Sequence, residues 1–430
     1  MPMLRTHTLK EASQLDGVEV KVCGWIHDIR VLGRIAFIIL RDRSGFAQLT
    51  LIRGILGKEK FKEYTKLTRE TVICARGKVQ RTDQAKLGFE ILPEEIEVLS
   101  VAETPLPLGV ADKVSADMET RIENRFLDLR KPEVLSVFKV RSAILQGIRD
   151  TLISKNFLEV HTPKIVATAT EGGTELFPVR YFEKEAYLNQ SPQLYKQILM
   201  AAGFDRVFEI APAFRAEEHN TTRHLNEFIS IDVEISFADD EDAMRVLEES
   251  IANGIKYAVE NEREALELLG MKWKEPELPF KRITYDEALS IINKNMDMEW
   301  GEDFSTEALK VLGEEIKDFY FITQWPLEIK PFYVMPYDEK YSLAFDLMYR
   351  EKELSSGAQR NHRYESLVEI MKGKGLNPEN FEFYLRAFRY GMPPHAGWGL
   401  GLERLVMIIT GVKNIRECVI FPRDRTRLVP

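Results

Sequence analysis

The sequence predicts a two-part chain: an N-terminal five-stranded β-barrel, then an α+β domain on a mixed, mainly antiparallel sheet. The first hundred residues consist of short strand-like runs separated by turns. A Pro-containing segment then interrupts this pattern. The remainder mixes strands and helices without the regular βα alternation of a parallel, doubly wound sheet. We therefore place the barrel at residues 1–102, a hinge at 103–130 and the larger domain at 131–430.

The barrel prediction depends on strand periodicity. Residues 18–26 alternate apolar and polar side chains, which is the period of a half-buried strand. Four more runs have strand character and one run after the third strand has helical character: 36–40, 46–52, 71–77 and 89–98 as strands, and 61–67 as a helix. Five strands with a helix after the third match a Greek-key barrel of the oligonucleotide-binding (OB) type. Another small barrel or a sandwich fits the pattern equally well.

A proline-containing hinge and a long helix follow. Pro105 and Pro107 cannot donate to a strand ladder, so the segment 103–109 is predicted to be a linker. Beyond it, apolar residues recur at spacings of three and four, which places them on one face of a helix. These residues are Val137, Val140, Ile144, Ile148 and Leu152.

Composition excludes several classes of protein. The 430 residues are 44% hydrophobic, which is enough for folded cores, and no apolar run approaches the ~20 residues of a membrane helix. The polar N-terminus lacks the apolar core of a signal peptide. Cys23, Cys74 and Cys418 are odd in number and far apart, which argues against a disulfide scaffold and a metal knuckle. We expect a soluble, cytoplasmic protein without membrane association.

The charge is unevenly distributed. The whole chain has a formal charge of −9, which by itself argues against a nucleic-acid partner. Residues 1–102, however, contain 17 Lys and Arg against 13 Asp and Glu, a balance of +4, and the rest contains 42 against 55, a balance of −13. Such an asymmetry is compatible with an interaction module at the N-terminus, although ordinary domains also show it.

A hairpin with a polar loop is the first segment whose side chains could bind a ligand. Residues 206–215 and 225–235 are strand-like and flank the loop 216–224. Arg215 at a strand end suits bidentate contact with a phosphate or carboxylate, and Arg223 and His224 in the loop suit a polyphosphate. A surface hairpin with solvated charges is the alternative.

A glycine-rich strand precedes an apolar helix near the C-terminus. Gly397, Gly399 and Gly401 alternate, so one strand face lacks side chains and a flat ligand could approach the backbone closely. Arg404 then enters the helix as a charge within an apolar run. A glycine-weakened strand packed on a helix would give the same pattern.

Two further segments have weaker signals. Asp346 and Glu353 are seven residues apart and suit Mg²⁺, which binds one or two carboxylates together with substrate phosphates. Taken alone, such a pair is far more often part of a solvated face. In the segment 156–165, Pro163 suggests a sheet edge or an interface, and a helix–strand corner explains that segment as well.

Taken together and in this order, the segments resemble the three signature motifs of class II aminoacyl-tRNA synthetases. The phrases TEGGTELF, QSPQLYKQ, FRAEEHNTTRHLNE, SSGAQR and YGMPPHAGWGLGLER narrow the resemblance to the aspartyl/asparaginyl/lysyl subgroup. They are most similar to aspartyl enzymes of the archaeal and eukaryotic type. The resemblance covers nearly the whole chain. It implies an anticodon-binding OB fold at 1–102, a class II catalytic domain at 131–430, and a homodimer built around the first motif.

The resemblance also implies roles for individual residues. Arg215 and Arg404 would be the catalytic residues, on the α- and γ-phosphate of ATP respectively. The ATP site would comprise Arg215, Glu217, Arg223, His224, Leu225, Phe228, Glu353, Gly401 and Arg404. The aspartate site would comprise Glu171, Gln193, Lys196, Arg215, Ser356 and Arg360. Mg²⁺ would be held by Asp346, Glu353 and Ser356. The tRNA anticodon would be read by His27, Arg30, Phe37, Gln48 and Lys86.

The amino acid and the tRNA are finer questions. Two cations, Lys196 and Arg360, favour the carboxylate of aspartate over the amide of asparagine, although asparaginyl relatives carry similar residues. For the tRNA, His27 resembles members that charge both the aspartate and the asparagine tRNA, whereas Lys86 resembles strict members. We predict charging of both tRNAs. An asparaginyl enzyme is the alternative, and a catalytically silent RNA-binding relative fits less well because the motif arginines and acids are present.

Overall fold

The computed structural model describes residues 4–111, 116–167, 175–218 and 221–430. The chain divides into two compact units, Met1–Lys131 and Pro132–Pro430. The described residues of the predicted hinge 103–130 belong to the first unit, and their action as a hinge stays a prediction. Within the described ranges, no helix is long and apolar enough to cross a membrane.

The first unit contains a closed five-stranded barrel. Its strands are β1 (Glu19–Leu32), β2 (Ile35–Asp42), β3 (Gly45–Ile52), β4 (Val72–Arg81) and β5 (Phe89–Ser100), closed in the order β1-β2-β3-β5-β4. The helices are α1 (Leu9–Ala12), α2 (Arg53–Leu56), α3 (Lys58–Tyr64), α4 (Met118–Glu123) and α5 (Arg125–Asp128). The helix predicted at 61–67 therefore begins and ends three residues earlier. Alternate residues of each strand fill the interior, as Ile38, Leu40 and Leu49 show with no exposed surface.

The barrel brings two of the three cysteines together. Cys23 on β1 and Cys74 on β4 are directly opposite each other and form a disulfide, although 51 residues separate them in the sequence. Their separation in the sequence argues against a disulfide scaffold, but it does not exclude this single bridge, because closure of the barrel pairs its first strand with its fourth. Cys418 is buried in the second unit.

The second unit is built on an eight-stranded mixed sheet in the order β12-β13-β14-β15-β16-β11-β10-β6. The pairs β12–β13 and β10–β6 are parallel and the others antiparallel, which confirms the predicted sheet. A small second sheet has the order β7-β9-β8. The strands are β6 (Leu158–Glu159), β7 (Ile165–Val166), β8 (Pro178–Tyr181), β9 (Lys184–Leu188), β10 (Arg206–Phe214), β11 (Glu227–Ser236), β12 (Lys281–Thr284), β13 (Phe319–Thr323), β14 (Ala344–Tyr349), β15 (Lys352–Arg360) and β16 (His395–Gly401).

Helices and short 3₁₀ turns complete the second unit. The helices are α6 (Pro132–Ser154), α7 (Gln193–Ala201), α8 (Asp240–Asn261), α9 (Arg263–Leu268), α10 (Tyr285–Ile292), α11 (Thr306–Glu315), α12 (Tyr364–Gly373), α13 (Glu382–Arg389) and α14 (Leu402–Thr410). The 3₁₀ turns are Leu327–Ile329, Pro378–Phe381 and Ile415–Cys418.

Helix α6 has the predicted amphipathic face. All five residues placed on one face by their spacing are buried in one apolar core together with α8 and the central strands. A side chain at Gly147 of α6 would collide with the backbone of α8, so glycine lets the two helices approach closely. The core fixes the helix layer against the sheet, and the opposite face of the central strands is left to form a cavity.

Candidate active site

A cavity of about 370 Å³ opens over the central strands of the second unit. This volume lies within the range of small-molecule sites. Its wall contains thirteen of the residues predicted for the ATP, amino-acid and metal sites: Gln193, Arg215, Glu217, Arg223, His224, Leu225, Phe228, Asp346, Glu353, Ser356, Arg360, Gly401 and Arg404. Glu171 lies outside the described residues. The remaining predicted residue, Lys196, is not part of the wall.

The predicted hairpin positions Arg215 and its loop. Strands β10 and β11 pair antiparallel, and the backbone N–H of Arg215 donates to Asn226 O at 3.0 Å just beyond the strand end. The Arg215 guanidinium carbon is 5.7 Å from the centre of the Phe228 ring. A cation and a flat aromatic face therefore occupy the same end of the hairpin.

The loop after Arg215 is folded around Thr221. The Thr221 hydroxyl oxygen accepts hydrogen bonds from the backbone N–H of Arg223 and of His224, at 3.2 and 3.1 Å, and lies 2.8 Å from His224 Nδ1. Burial lowers the pKa of His224 below its usual value; Glu217 opposes this shift, whereas Arg404 and Arg215 act in the same direction as burial. His224 is therefore a neutral hydrogen-bonding group at neutral pH rather than a third cation.

The predicted metal ligands come together through the hairpin of β14 and β15. Asp346 is directly opposite Ser356, and the Ser356 hydroxyl donates to Glu353 Oε1 at 2.9 Å. Arg404, in the first turn of α14, donates to the backbone oxygen of Glu353 at 3.2 Å. Burial raises the pKa of Asp346, and Lys330 opposes that rise.

Sequence reasoning missed Lys330. Its ammonium donates to Asp346 Oδ2 at 2.8 Å and lies 3.9 Å from the centre of the Trp325 ring, and it contributes to the cavity wall. The signal in the sequence was one cation within the largely apolar run 325–334.

The residues present fit a Mg²⁺ site that is completed by a substrate. Asp346 Oδ1 is buried and has no hydrogen-bond partner in the part of the chain described by the structure. Across those residues, no group of three or more His, Cys, Asp or Glu side chains could hold a metal alone. One or two carboxylates with a hydroxyl, completed by phosphate oxygens, is the arrangement that Mg²⁺ uses in nucleotide sites.

The two cations predicted to bind the amino-acid side chain are already paired. Lys196 Nζ donates to Asp232 Oδ1 and to Trp398 O, each at 3.0 Å, and is 3.4 Å from Glu234 Oε2. Arg360 forms a bidentate contact with Glu234, at 2.9 and 3.3 Å. Burial by itself would raise the pKa of Glu234, but Arg360 and Lys196 hold it below its usual value. The four side chains form a buried cluster with no net charge.

The three alternating glycines serve different purposes. Gly399 and Gly401 line the cavity, and a side chain at Gly401 would meet no atom closer than 3.8 Å. A side chain at Gly397, in contrast, would collide with Val233 O and the Glu234 carboxylate. Close approach by a ligand is therefore available at two of the three positions, and the third makes room for a buried charge.

Two acids in the same motifs are structural. Glu209 on β10 accepts from the backbone N–H of Thr162 at 2.8 Å and from Lys164 Nζ at 2.7 Å. Glu403 is 2.7 Å from Arg141 on α6 and accepts from the backbone N–H of Ile229 at 3.1 Å. These contacts fix the hairpin and helix α14, which carry Arg215 and Arg404.

The predicted anticodon residues are on the outside of the barrel. Phe37 and Gln48 are half-buried on the outward positions of β2 and β3, and Arg30 is opposite Phe37. Gln48 Nε2 donates to Glu90 at 3.1 Å. Lys86 is exposed in the connection between β4 and β5. Arg30, Phe37 and Gln48 thus share three adjacent strands.

His27 is held by a buried ion pair. Arg41 Nη1 is 3.0 Å from His27 Nδ1, and the same guanidinium is bidentate to Glu70 at 3.1 and 2.7 Å. Burial, followed by Arg41, lowers the pKa of His27. Arg130 also reaches Glu70, at 3.0 Å, which ties the end of the predicted hinge to the barrel.

The geometry agrees with comparisons to known proteins. The family model for tRNA synthetases class II (D, K and N) matches residues 117–425, and the one for the OB-fold nucleic acid binding domain matches residues 20–99. The chain belongs to the class II aminoacyl-tRNA synthetases of this subgroup. The OB prediction is therefore confirmed over the other small barrels.

Two ligases and two solved structures are similar to this chain. The Aspartate–tRNA(Asp/Asn) ligase of Methanocaldococcus jannaschii is 56% identical over 100% of this chain and 99% of its own. The ligase of the same name from Archaeoglobus fulgidus is 56% identical over 99% of this chain and 100% of its own length. Among solved structures, the asparaginyl-tRNA synthetase of Pyrococcus horikoshii with asparaginyl-adenylate has a TM-score of 0.93 at 33% identity, with both chains fully covered. A putative aspartyl-tRNA synthetase of Leishmania major has a TM-score of 0.91 at 27% sequence identity, and the match covers 100% of this chain and 96% of that one.

Proposed function

We propose that this protein is an aspartate–tRNA ligase that charges both tRNA(Asp) and tRNA(Asn). In the first step, ATP and L-aspartate form aspartyl-adenylate and pyrophosphate, and in the second the aspartate passes to the 3′ end of the tRNA. One observation carries the proposal: a single cavity holds Arg215 and Arg404 together with Asp346 and Glu353. The two relatives at 56% identity are both named Aspartate–tRNA(Asp/Asn) ligase, which supports the choice of aspartate over asparagine.

Activation would depend on positioning and charge. The aspartate α-carboxylate attacks the α-phosphorus in line, and both reactants are anionic. Arg215 would bridge the carboxylate and the α-phosphate, and Arg404 would hold the γ-phosphate, so the guanidinium groups offset repulsion and the charge that develops at phosphorus. No side chain acts as a nucleophile, and orientation can supply roughly 7–11 kcal/mol of the barrier.

The remaining wall would hold the nucleotide. Phe228 would stack under adenine while Glu217 contacts its amino group, and Arg223 with the neutral His224 would hold the polyphosphate. Leu225 and Gly401 would complete that pocket. Asp346, Glu353 and Ser356 would hold Mg²⁺, which supplies charge neutralisation at the phosphates when bound.

The aspartate side chain would meet the neutral cluster described above. Arg360 lines the cavity, so we propose that it contacts the substrate carboxylate directly. Lys196 would act beside it from within the cluster. Gln193, and Glu171 from outside the described residues, would hold the α-ammonium group.

The barrel would read the anticodon. Phe37 would stack on a base, a contact worth about 1–3 kcal/mol. Gln48 would read the central uridine, and Arg30 and Lys86 would contact the RNA nearby. His27 would lie near the third anticodon base, the only one that differs between the two tRNAs, and its presence favours charging of both.

We also propose a homodimer that acts in the cytoplasm, with no membrane association. Strand β6 is an edge of the large sheet, and Leu158 on it is 54% exposed. An exposed edge strand is a surface that another chain can cover. Light scattering at micromolar concentration tests the dimer, and a monomer mass would contradict it.

Charging assays test the function. The protein is incubated with ATP, Mg²⁺ and labelled L-aspartate or L-asparagine on purified tRNA(Asp) and tRNA(Asn). We expect aspartate to be attached to both tRNAs. Attachment of asparagine alone would establish the asparaginyl alternative, and charging of tRNA(Asp) alone would refute the broad tRNA specificity.

A further inference from the structure

A buried chain of hydrogen bonds runs from the backbone to the cavity wall. His395 Nδ1 is 2.8 Å from Pro393 O, and Gln197 Nε2 is 2.9 Å from His395 Nε2. Gln193 Nε2 then donates to Gln197 Oε1 at 3.0 Å. All three side chains are at least nine-tenths buried, and only Gln193 contributes to the cavity wall.

Each hydrogen bond of this chain has a defined donor and acceptor. A carbonyl oxygen only accepts, so His395 carries its proton on Nδ1. Burial lowers the pKa of His395 to about 4, so the ring is neutral at pH 7 and its Nε2 is an acceptor. Gln197 must therefore turn its NH₂ group to His395 and its oxygen to Gln193. The Tyr384 hydroxyl, which donates to the same oxygen at 3.2 Å, supports that orientation.

The consequence appears at the cavity. Gln193 must use its NH₂ group on Gln197, so its carbonyl oxygen remains for a ligand. Among the residues that the structure describes, the one hydrogen bond of the Gln193 side chain is the one its NH₂ group donates to Gln197. An amide oxygen presented in this way accepts from an ammonium group and disfavours a carboxylate.

We propose that His395 and Gln197 are positioning residues that fix the amide of Gln193 with its oxygen towards the α-ammonium group of the amino-acid substrate. The proposal rests on the proposed function, since it assumes an amino acid in the cavity. Neither residue was identified from the sequence, and neither touches the substrate.

The test variant is Gln197→Met, which keeps the length of the side chain but removes the acceptor. Binding the ammonium group then leaves the buried NH₂ group of Gln193 unpaired. We expect KM for L-aspartate in ATP–pyrophosphate exchange to rise between about 5- and 30-fold, while KM for ATP stays within twofold. Gln197→Glu restores an oxygen for Gln193, and one added proton, on the carboxyl group or on His395 Nε2, keeps the hydrogen bond to His395. This variant should therefore recover most of the affinity.

Two controls separate positioning from general damage. Succinate is aspartate without its ammonium group, so its inhibition constant should change less than twofold in Gln197→Met. Gln146→Met removes a matched amide, which donates to Asp150 four residues later on α6 at 2.7 Å, and should leave every constant unchanged. An unchanged KM for aspartate in Gln197→Met, or equal weakening of succinate and aspartate, overturns the proposal.

A measurement on the unaltered protein keeps the proposal testable if the variant does not fold. Nitrogen NMR of ¹⁵N-histidine-labelled protein, assigned with His395→Asn, should show His395 protonated on Nδ1 and unprotonated on Nε2 at pH 7. The opposite tautomer overturns the proposal. If ATP–pyrophosphate exchange depends on an amino acid other than aspartate, the proposed function is wrong. The orientation of Gln193 is then tested in the same way with that amino acid and its deaminated analogue.

Discussion

Replacement of Glu234 by glutamine should destabilise the second unit strongly. Its carboxylate has no exposed surface, and it contacts Arg360 at 2.9 Å and Lys196 at 3.4 Å. At an effective dielectric constant of about 20, these two contacts correspond to about 6 and about 5 kcal/mol of attraction. The substitution also avoids the burial of a carboxylate, which offsets several kcal/mol. We expect a net loss of about 3–5 kcal/mol in the free energy of unfolding.

An exposed pair with similar geometry provides the control. Glu382 contacts Arg389 through both guanidinium nitrogens, at 2.9 and 3.1 Å, but about half of each side chain is exposed. Glu382→Gln should therefore have little effect, because water already screens that pair. Urea unfolding followed by tryptophan fluorescence suits the comparison, since four of the five tryptophans are in the second unit. Equal losses in the free energy of unfolding of the two variants would refute the argument that burial makes the Glu234 contacts more important than those of Glu382.

The effect should depend on pH with a defined sign. The pKa of Glu234 is lower in the folded protein than its usual 4.5, so the carboxylate stabilises the fold above that pH. As the pH falls below 4.5, the unfolded chain takes up the proton first and the stabilisation declines. The difference in the free energy of unfolding between the unaltered protein and Glu234→Gln should therefore become smaller below pH 4.5. A difference that becomes larger there would contradict the assignment of the charge.

Three further predictions concern the site and the barrel. Arg404→Lys should lower kcat for aspartate-dependent exchange by about 10²–10³-fold, because an ammonium group cannot replace the planar guanidinium; a rate near that of the unaltered protein would exclude its role. Lys330→Met should raise Mn²⁺ affinity without ATP by about tenfold in a spin-resonance titration, since one cation beside Asp346 is removed. Lys340→Met is its control, as Lys340 is also above a tryptophan ring but outside the cavity wall, and equal affinities would refute the effect. His27→Trp should favour charging of tRNA(Asp) over tRNA(Asn), and an unchanged ratio of the two rates would show that His27 does not set specificity.

Much of the fold could be predicted because its signals are local. The spacing from Val137 to Leu152 is a property of one helix, and each barrel strand alternates within its own few residues. The disulfide between Cys23 and Cys74 depends instead on which strands close the barrel, and local patterns contain no such information. The OB type was one of two equal alternatives for the same reason.

The site was predictable where an arginine or a carboxylate interrupts an apolar run, as at Arg215 and Arg404. It was not predictable where the decisive partner is distant in sequence. His395 and Gln197 are 198 residues apart, and nothing around either residue indicates the other. The cations expected to contact the substrate could be named, but their neutralisation by Asp232 and Glu234 is visible only in three dimensions.

The absence of a side chain at Gly397 has an evolutionary consequence. The space beside it belongs in part to the carboxylate of Glu234, a residue 163 positions earlier in the chain. Loss of the acid alone would not admit alanine at 397, because the added carbon would still collide with the backbone oxygen of Val233 on the neighbouring strand. Position 397 therefore accepts only glycine, whichever residue is at 234. The glycine thus reflects the close packing of two strands around a buried charge rather than the shape of a ligand.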